Sequence, residues 1–232
     1  MFLLKIGSKK NWRVRMKIDL SNIRTRWINV ESDKSKAEQM VELLDRLEFK
    51  NAERFNAITS VDVQEKNQFY LTHCCGESHF HALEETIIKD GEPVLILEDD
   101  VEVESKNYLR EFNIPTGIDA LYLGTSHGDG KYEAVPIDDF LFRIQRVFAC
   151  HSILFLNPAY AKAIVEDGRN TIYNLNGPFD VTLAYNVQPR FNVCAVQRPF
   201  FYQADSKNTT NLYEGITRTP LKSKFNMMSG AS

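Results

Sequence analysis

The spacing of apolar residues along the chain predicts a succession of short strands and helices. Residues 26–30 and 54–58 are short runs with β-branched or aromatic positions, which are typical of strands. Between them, apolar residues recur every three or four positions, which predicts an amphipathic helix with Ser32 or Asp33 as its N-cap. The apolar face of this helix contains Ala37, Met40, Val41, Leu44 and Leu47.

The alternation of strands and helices continues to residue 201. A helix is predicted over residues 75–89 and ends at Gly91. Residues 93–97 are apolar at every position, which is typical of a buried parallel strand. Further strands are predicted at 120–124, within 140–156 and at 191–201, and further helices from Asn157 to about Glu166 and over 179–187. The chain is therefore predicted to have an α/β fold with a mainly parallel central sheet flanked by helices.

Length and composition favour one globular domain. The chain has 232 residues, of which 43% are hydrophobic and 25% charged, and these values are typical of a protein with a packed core. We predict a single domain over residues 26–226, a basic arm or hairpin over 1–25 and a frayed tail over 227–232. No apolar stretch approaches the roughly 18–20 residues of a membrane helix. The N-terminus lacks the pattern of a signal peptide and the four cysteines form no disulfide framework, so we expect a cytoplasmic protein.

Positive charge is concentrated at the N-terminus. Residues 1–26 contain eight bases and one acid, a net charge of +7, which leaves −10 for the other 206 residues because the whole chain carries −3. A basic arm on an acidic body suits a polyanion such as DNA or anionic lipid. The alternative interpretation is a solvated first strand or hairpin. The bases are Lys5, Lys9, Lys10, Arg13, Arg15, Lys17, Arg24 and Arg26.

Three consecutive acids follow the apolar run at 93–97. The side chains of Glu98 and Asp100 point the same way on an extended backbone, while Asp99 points the opposite way. Carboxylates at the end of a buried strand repel one another, and a divalent cation offsets this repulsion. Mn²⁺ and Mg²⁺ prefer such hard oxygen ligands together with substrate phosphates. Glu98 and Asp100 are therefore the candidate metal ligands, and the alternative is a solvated acidic turn.

An ordered series of motifs surrounds these acids. An Ile-Asn-Leu-like segment is present as Trp27-Ile-Asn-Val, an Arg-Phe-x-Ala segment as Arg54-Phe-Asn-Ala, and a Gly-Cys-x-x-Ser-His segment, with its first two residues in altered order, as Cys75-Gly-Glu-Ser-His. Leu-Glu-Asp-Asp ends at Asp100, Gly-Pro-Phe-Asp ends at Asp180, and a closing Pro…Gln…Ser segment is present as Pro199, Gln203 and Ser206. This series, over about residues 26–208, resembles glycosyltransferase family 25, the lipooligosaccharide and collagen galactosyltransferases with a GT-A fold.

The resemblance implies a Rossmann-like GT-A domain that transfers a sugar from a nucleotide donor, UDP-galactose or UDP-glucose, to a hydroxyl with inversion. It assigns the metal to Glu98 and Asp100, and it implies that Asp99 reaches a sugar or ribose hydroxyl. It makes Asp180 the general base, with a helix N-cap as the alternative role. Donor contacts fall to Asn29, Ala57, Ser78 and His79, and the closing segment to Gln203 and Ser206.

The predicted helix start at residues 75–79 has its own alternatives. A helix N-terminus favours anions, so Ser78 and His79 are placed there to contact the donor diphosphate, whereas the alternative is a capping serine and a packed histidine. His73, His79 and His81 are not expected to form a zinc site, because His79 and His81 are about 200° apart on a helix. Residues 124–130 form a polar loop that lacks the Gly-Lys-Ser/Thr end of a P-loop.

Three function classes are compatible with this sequence. The leading hypothesis is metal-dependent sugar transfer to a glycan or glycolipid, with a hydroxymethylated DNA base or a protein hydroxyl as other acceptors. The second is a non-catalytic protein that binds a nucleotide sugar or glycan. The third is a phosphohydrolase or nuclease, which usually needs a second ligand cluster, and Asp138-Asp139 is the only other nearby acidic pair. The oligomeric state stays open.

Overall fold

The structure is a computed structural model, and it describes residues 14–63, 69–125, 127–148, 151–175 and 177–203. The helices are α1 (Lys34–Arg46), α2 (Tyr70–Glu84), α3 (Ile87–Asp90), α4 (Pro158–Asn174) and α5 (Phe179–Thr182), with a π-helical turn at Leu183–Val187 and a 3₁₀ turn at Gln188–Arg190. The strands are β1 (Arg15–Asp19), β2 (Arg24–Asn29), β3 (Ala52–Asn56), β4 (Val94–Glu98), β5 (Val101–Val103), β6 (Glu111–Pro115), β7 (Ala120–Tyr122), β8 (His127–Pro136), β9 (Leu141–Phe148), β10 (Ser152–Phe155), β11 (Val193–Val196) and β12 (Phe201–Gln203).

The central sheet has eight strands in the order β3-β2-β4-β10-β7-β11-β9-β8. Strand β2 pairs in parallel with β3 and β4, and β11 pairs in parallel with β7. The other four pairings are antiparallel, because β10 runs against both of its neighbours and β9 runs against β8 and β11. The α/β class is therefore confirmed, but the prediction of a mainly parallel sheet is wrong: the sheet is mixed.

The sheet separates two apolar clusters, and strand β4 shows how. Val94 and Ile96 belong to the cluster beneath α2–α5, whereas Leu95 and Leu97 belong to the cluster that includes residues of α1, β1 and β6. Successive side chains of a strand point to opposite faces, so a strand covered on both faces is apolar at every position. The buried strand predicted from residues 93–97 is confirmed, and its C-terminal end carries the three acids.

The described part of the predicted basic arm packs against the body. Strand β1 pairs with β6 in antiparallel register, and Ile18 and Leu20 join the same apolar cluster as Trp27. The domain limits of 1–25 and 26–226 stay a prediction. Residues 1–13 and the tail predicted at 227–232 lie outside the described residues.

Two helix starts follow the sequence signals and one does not. Asp33 caps α1 by accepting a hydrogen bond from the Lys36 backbone N–H, and Asn157 caps α4 ahead of Pro158, as predicted. Helix α2 begins at Tyr70 instead of Cys75, so Ser78 and His79 lie in the middle of a helix and the predicted anion-binding N-terminus at these residues is wrong. The loop predicted at 124–130 is also wrong in part, because strand β8 begins at His127.

Gly91 ends α3 in the left-handed conformation, with φ of 82°, a backbone geometry that favours glycine. The single helix predicted over residues 75–89 is two helices in the structure, α2 and α3, which are separated by Glu85 and Thr86. Among the described helices, none is long and apolar enough to cross a membrane.

Candidate active site

The candidate site lies at the carboxyl end of strand β4, where three elements converge. Glu98 is the last residue of β4, and Asp99 and Asp100 form the turn that leads into β5. Helix α2 contributes Cys75 and His79 from one side. Strand β12 pairs with β5 and brings Gln203 opposite Val101. Ligands of open α/β sheets commonly bind at the carboxyl ends of strands, which is where these side chains lie.

Glu98 is held by side chains from α2 and β12. Its Oε1 atom lies 3.1 Å from Nε2 of His79 and 3.8 Å from the Cys75 sulfur, which donates to it. Its Oε2 atom lies 3.5 Å from Nε2 of Gln203. Burial acts to raise the pKa of Glu98, but the hydrogen bond and charge of His79, together with the charge of His151 and the hydrogen bond from Cys75, outweigh burial and lower that pKa. Glu98 is therefore an ionised carboxylate at neutral pH.

Asp100 shares Gln203 with Glu98. Nε2 of Gln203 donates to Oδ2 of Asp100 at 3.0 Å, whereas the buried Oδ1 atom of Asp100 has no hydrogen-bond partner among the described residues. Burial, with the charge of Glu98 adding to it, raises the pKa of Asp100 to about 7. Two partly buried carboxylates, one of them with a buried oxygen that has no partner among the described residues, form a site that a divalent cation would stabilise.

Asp99 faces a different set of residues. Its Oδ2 atom accepts a hydrogen bond from Nδ2 of Asn29 at 2.6 Å, and its Oδ1 atom accepts one from Nζ of Lys36 at 3.0 Å. Burial acts to lower the pKa of Lys36, but the hydrogen bond and charge of Asp99 outweigh this, so its pKa is raised. Asp99 therefore has different partners from Glu98 and Asp100, as predicted, although the backbone at Asp99 and Asp100 is a turn and not the extended strand on which that prediction rested.

The other residues expected near the donor form a network between α2 and the ends of β2 and β3. The Ser78 hydroxyl donates to the Cys74 carbonyl and accepts from the Ile58 backbone N–H, both at 2.8 Å. The Ala57 backbone N–H donates to the Asn29 carbonyl at 2.9 Å. Because Ser78 is fully buried, its hydroxyl holds the loop after β3 onto α2.

Asp180 lies in the first turn of α5, on the same side of the molecule as Cys75. The N-cap residue of α5 is Pro178, so Asp180 does not have the capping role that was the alternative. Its Oδ1 atom accepts from the Val181 backbone N–H at 2.9 Å. Burial raises the pKa of the Cys75 thiol well above its usual range, and the charges of Glu98, Asp100 and Asp180 add to the effect. All three carboxylates therefore act electrostatically on one thiol.

Two residues of the site were missed by sequence reasoning. The first is Cys75. One ligand atom each of Cys75, His79 and Glu98 lies within 4.8 Å of the other two. The i,i+4 spacing of Cys75 and His79 is the sequence signal that could have identified Cys75. The second is His151, which is buried. Its backbone carbonyl accepts a hydrogen bond from the Glu98 N–H at 3.0 Å. Burial lowers the pKa of His151 although the charge of Glu98 opposes this. Nothing in the sequence pattern distinguishes His151 from a packed core histidine.

The remaining candidates are not all brought to the site. His73 contacts the Gly177 carbonyl at 3.1 Å and His81 lies 3.6 Å from Glu77, so the three histidines diverge as expected. Ser206, predicted in the closing segment, lies outside the described residues.

The described bases of the N-terminal segment are paired with acids of the body. Asp138, the acidic neighbour considered for a second ligand cluster, is bound by Arg15. The other pairs are Lys17 with Glu111, Arg24 with Asp90 and Arg26 with Glu53. Four of the eight bases in residues 1–26 are therefore engaged within the fold, and the other four lie outside the described residues.

Comparison with known proteins gives no family assignment. The chain matches no family model and no curated protein sequence. Among solved structures, it is similar to a glycosyltransferase involved in the glycosylation of the major capsid of PBCV-1, with 14% identity, a TM-score of 0.45, and coverage of 88% of this chain and 98% of that one. It is also similar to a mannose-1-phosphate geranyltransferase from Thermus thermophilus, with 12% identity, a TM-score of 0.37, and coverage of 75% and 73%. At these TM-scores the similarities carry no argument about this chain.

Proposed function

We propose that this chain is a metal-dependent glycosyltransferase that moves a sugar from a nucleotide diphosphate donor to a hydroxyl of a glycan or glycolipid. The observation that carries the proposal is the pair of partly buried carboxylates, Glu98 and Asp100, at the carboxyl end of β4, with one buried oxygen that has no partner among the described residues. The ordered resemblance to glycosyltransferase family 25 supports the donor class, a UDP-hexose such as UDP-galactose or UDP-glucose. A UDP-pentose is the other donor type to be tested.

Glu98 and Asp100 would hold the cation, Mn²⁺ or Mg²⁺. Their chemistry fits, because Asp100 has a buried Oδ1 atom with no hydrogen-bond partner in the described part of the chain. The bound ion supplies positive charge that stabilises the departing nucleotide diphosphate. Gln203 donates to Asp100 and lies close to Glu98, so it orients both carboxylates. Ser206 follows Gln203 in the segment that the resemblance assigns to closing over the substrates.

Donor binding falls to residues around the ends of β2, β3 and β4 and on helix α2. Asn29 and Asp99 are hydrogen-bonded to each other, and in this proposal their polar atoms meet the ribose or the sugar. Ala57 borders the nucleotide, in the loop that Ser78 holds onto α2. His79 contacts the Glu98 carboxylate, orients it and faces the sugar. Asp180 is the general base that takes the proton of the acceptor hydroxyl as it attacks the anomeric carbon, which gives inversion.

The decisive experiment measures hydrolysis of a panel of nucleotide sugars without an acceptor, with and without Mn²⁺. We expect slow, metal-dependent release of one nucleotide by the wild type and loss of that release in Asp100→Ala. Asp139→Ala is the matched control, because Asp139 is an exposed acid in the loop before β9. Release that is unchanged in Asp100→Ala would contradict the assignment of the carboxylate pair.

The same panel tests the non-catalytic alternative. A binding protein would show metal-dependent affinity for a nucleotide sugar without release of nucleotide in the presence of any acceptor. Absence of both release and metal-dependent binding would overturn the transferase proposal as a whole.

The acceptor is tested separately, with the donor identified first. A neutral oligosaccharide, a glycolipid, a hydroxymethylated DNA duplex and a serine- or hydroxylysine-containing peptide are the four acceptors to compare. The resemblance favours glycan transfer, and Arg15, Lys17 and Arg24 already form ion pairs with acids of the body. Transfer to DNA that weakens steeply with salt would establish the alternative acceptor.

A further inference from the structure

We propose that Cys75 and His79 of helix α2 join Glu98 as ligands of the same cation, and that the site therefore selects a transition metal over Mg²⁺. This proposal rests on the proposed function only for the role of the ion in sugar transfer. The ligand set itself is argued from the geometry of the three side chains. It makes Cys75 a metal ligand, a role that the resemblance to family 25 does not include.

The spacing of the two helix residues suits a shared ligand. Residues four apart on a helix lie on the same face, and α2 places Cys75 and His79 over the end of β4. The Glu98 Oε1 atom lies 3.1 Å from His79 Nε2 and 3.8 Å from Cys75 Sγ. Tetrahedral coordination with bonds of about 2.0–2.3 Å separates ligand atoms by about 3.3–3.8 Å. The two separations from Glu98 Oε1 lie close to that range, and all three ligand atoms lie within 4.8 Å of one another.

Negative charge predominates around the cluster. Glu98, Asp100 and Asp180 all act electrostatically on Cys75, while Lys36 is held by Asp99 on the other side of β4. A divalent cation between Cys75, His79 and Glu98 would offset this excess of negative charge. Asp100 lies outside the group of three whose ligand atoms are within 4.8 Å of one another, so it would have to rotate to act as a fourth ligand through its Oδ1 atom, which lacks a partner among the described residues.

The chemistry of the donor atoms determines the preferred ion. Thiolate and imidazole ligands favour Zn²⁺, Co²⁺ and similar ions, whereas Mg²⁺ is bound by carboxylates, carbonyls and water. Binding would displace the proton of the Cys75 thiol, so sulfur coordination is directly observable. The competing interpretation is that Cys75 and His79 only hydrogen-bond to Glu98 and that a hard cation binds the carboxylates alone.

The test is a titration of chelator-treated, full-length protein with Co²⁺, followed by the sulfur-to-cobalt charge-transfer absorption in the near ultraviolet. We expect this band in the wild type, its persistence in a large excess of Mg²⁺, and its loss in Cys75→Ser. Cys74→Ser is the matched control, because Cys74 is the neighbouring cysteine of the same helix, is not in a disulfide and is not part of the cluster. His79→Gln should retain the band but weaken Co²⁺ binding by at least about 10-fold.

The outcomes separate this proposal from the proposed function. A band that is absent in the wild type, or equal in wild type and Cys75→Ser, overturns the ligand assignment even when Mn²⁺ stimulates nucleotide release. A band specific to Cys75 without release of any nucleotide supports the metal site and removes the transferase proposal. Circular dichroism of each variant identifies loss of folding, and Glu98→Gln then provides a second test, with loss of Co²⁺ binding expected.

Discussion

Nε2 of His79, on helix α2, lies 3.1 Å from Oε1 of Glu98, the last residue of strand β4. The two side chains belong to elements that pack on each other through the apolar cluster containing Phe80 and Ile96. Their contact is therefore a consequence of how α2 lies across the sheet. The contact lowers the pKa of Glu98, against burial, which acts to raise it.

The first prediction concerns His79→Ala in metal-free protein. The pKa of Glu98 is lowered in the folded protein, so Glu98 contributes stability above its unfolded value of 4.5, and this is lost as pH falls through the folded pKa. Without His79, burial dominates and raises the pKa of Glu98, so its ionisation above about pH 4.5 should destabilise the fold. Carbon-detected NMR of the glutamate carboxyl should record the higher pKa.

His81→Ala is the control for this measurement. His81 is an exposed histidine of the same helix that lies near Glu77 and not near Glu98. We expect the pKa of Glu98 to be unchanged in that variant. An unchanged pKa in His79→Ala would contradict the assignment of the lowered value to His79.

The second prediction concerns Asp100→Asn, also without metal. The folded pKa of Asp100 is about 7, above its unfolded value of 3.8. The folded state therefore binds more protons than the unfolded state between these values, and wild-type stability contributed by Asp100 falls as pH rises from 4 to 8. The neutral asparagine should remove a penalty of about 1–4 kcal/mol at pH 8 and leave stability near pH 4 almost unchanged.

Thermal unfolding in a chelator at pH 4, 6 and 8 measures this difference. Asp100→Asn should unfold at a higher temperature than the wild type at pH 8, by about 2 °C or more. Adding Mn²⁺ should stabilise the wild type more than the variant, since the ion binds the ionised carboxylate. A variant that is less stable than the wild type at pH 8 without metal would contradict the raised pKa.

The local geometry of the acids follows from the sequence. The apolar run before the acids fixes the end of the strand, and Glu98 and Asp100 share Gln203 while Asp99 contacts Asn29 and Lys36, as the sequence predicted, although Asp99 and Asp100 lie in a turn and not on an extended backbone. Cys75 joins them for a different reason. Its distance from Glu98 depends on how α2 packs across the sheet, which involves residues far apart in the chain. Sequence spacing reveals that Cys75 and His79 share a helix face, but not what that face meets.

The strand directions could not be predicted for a related reason. Strand β10 is buried on both faces, like β4, and a strand covered on both faces is apolar throughout. Its pattern is therefore the same whether its neighbours run parallel or antiparallel to it. The alternation of elements predicted the α/β class correctly, while the mixed sheet depends on the long-range placement of β10 between β4 and β7.

The third prediction concerns Gly124, where the backbones of two segments approach closely. A Cβ atom at Gly124 would overlap the Phe201 carbonyl oxygen and would lie 2.6 Å from Nε2 of His151. Gly124→Ala must therefore displace strand β12 and, with it, Gln203, two residues after Phe201. We expect a loss of stability of about 1–3 kcal/mol together with a loss of metal-dependent nucleotide release of about 10-fold or more.

Gly177→Ala is the control for Gly124→Ala. A Cβ atom at Gly177 would lie 3.5 Å from Cγ2 of Thr171, which is an ordinary contact. Urea unfolding and nucleotide release should both be close to wild type in this variant. If Gly124→Ala leaves both measurements unchanged, the close approach to Phe201 does not position Gln203.

The last prediction concerns Lys36, which is not part of the carboxylate pair. Its Nζ atom and Nδ2 of Asn29 are both hydrogen-bonded to Asp99, and the side chains of Lys36 and Asp99 are mostly buried. Of these two partners, Lys36→Met would leave the Asp99 carboxylate only Asn29. We expect this to lower the free energy of unfolding by about 1–3 kcal/mol.

Lys36→Met should also change the kinetics, because Asp99 is proposed to contact the donor. A displaced Asp99 should raise KM for the nucleotide sugar by about 5-fold or more with little change in kcat, since uniform binding is lost. Lys34→Met, an exposed lysine in the same turn of α1, is the control, and Lys36→Arg should restore part of the effect by keeping the charge. A fall in kcat with unchanged KM would instead place Lys36 and Asp99 with the groups that act on the transition state, because only such groups change kcat alone.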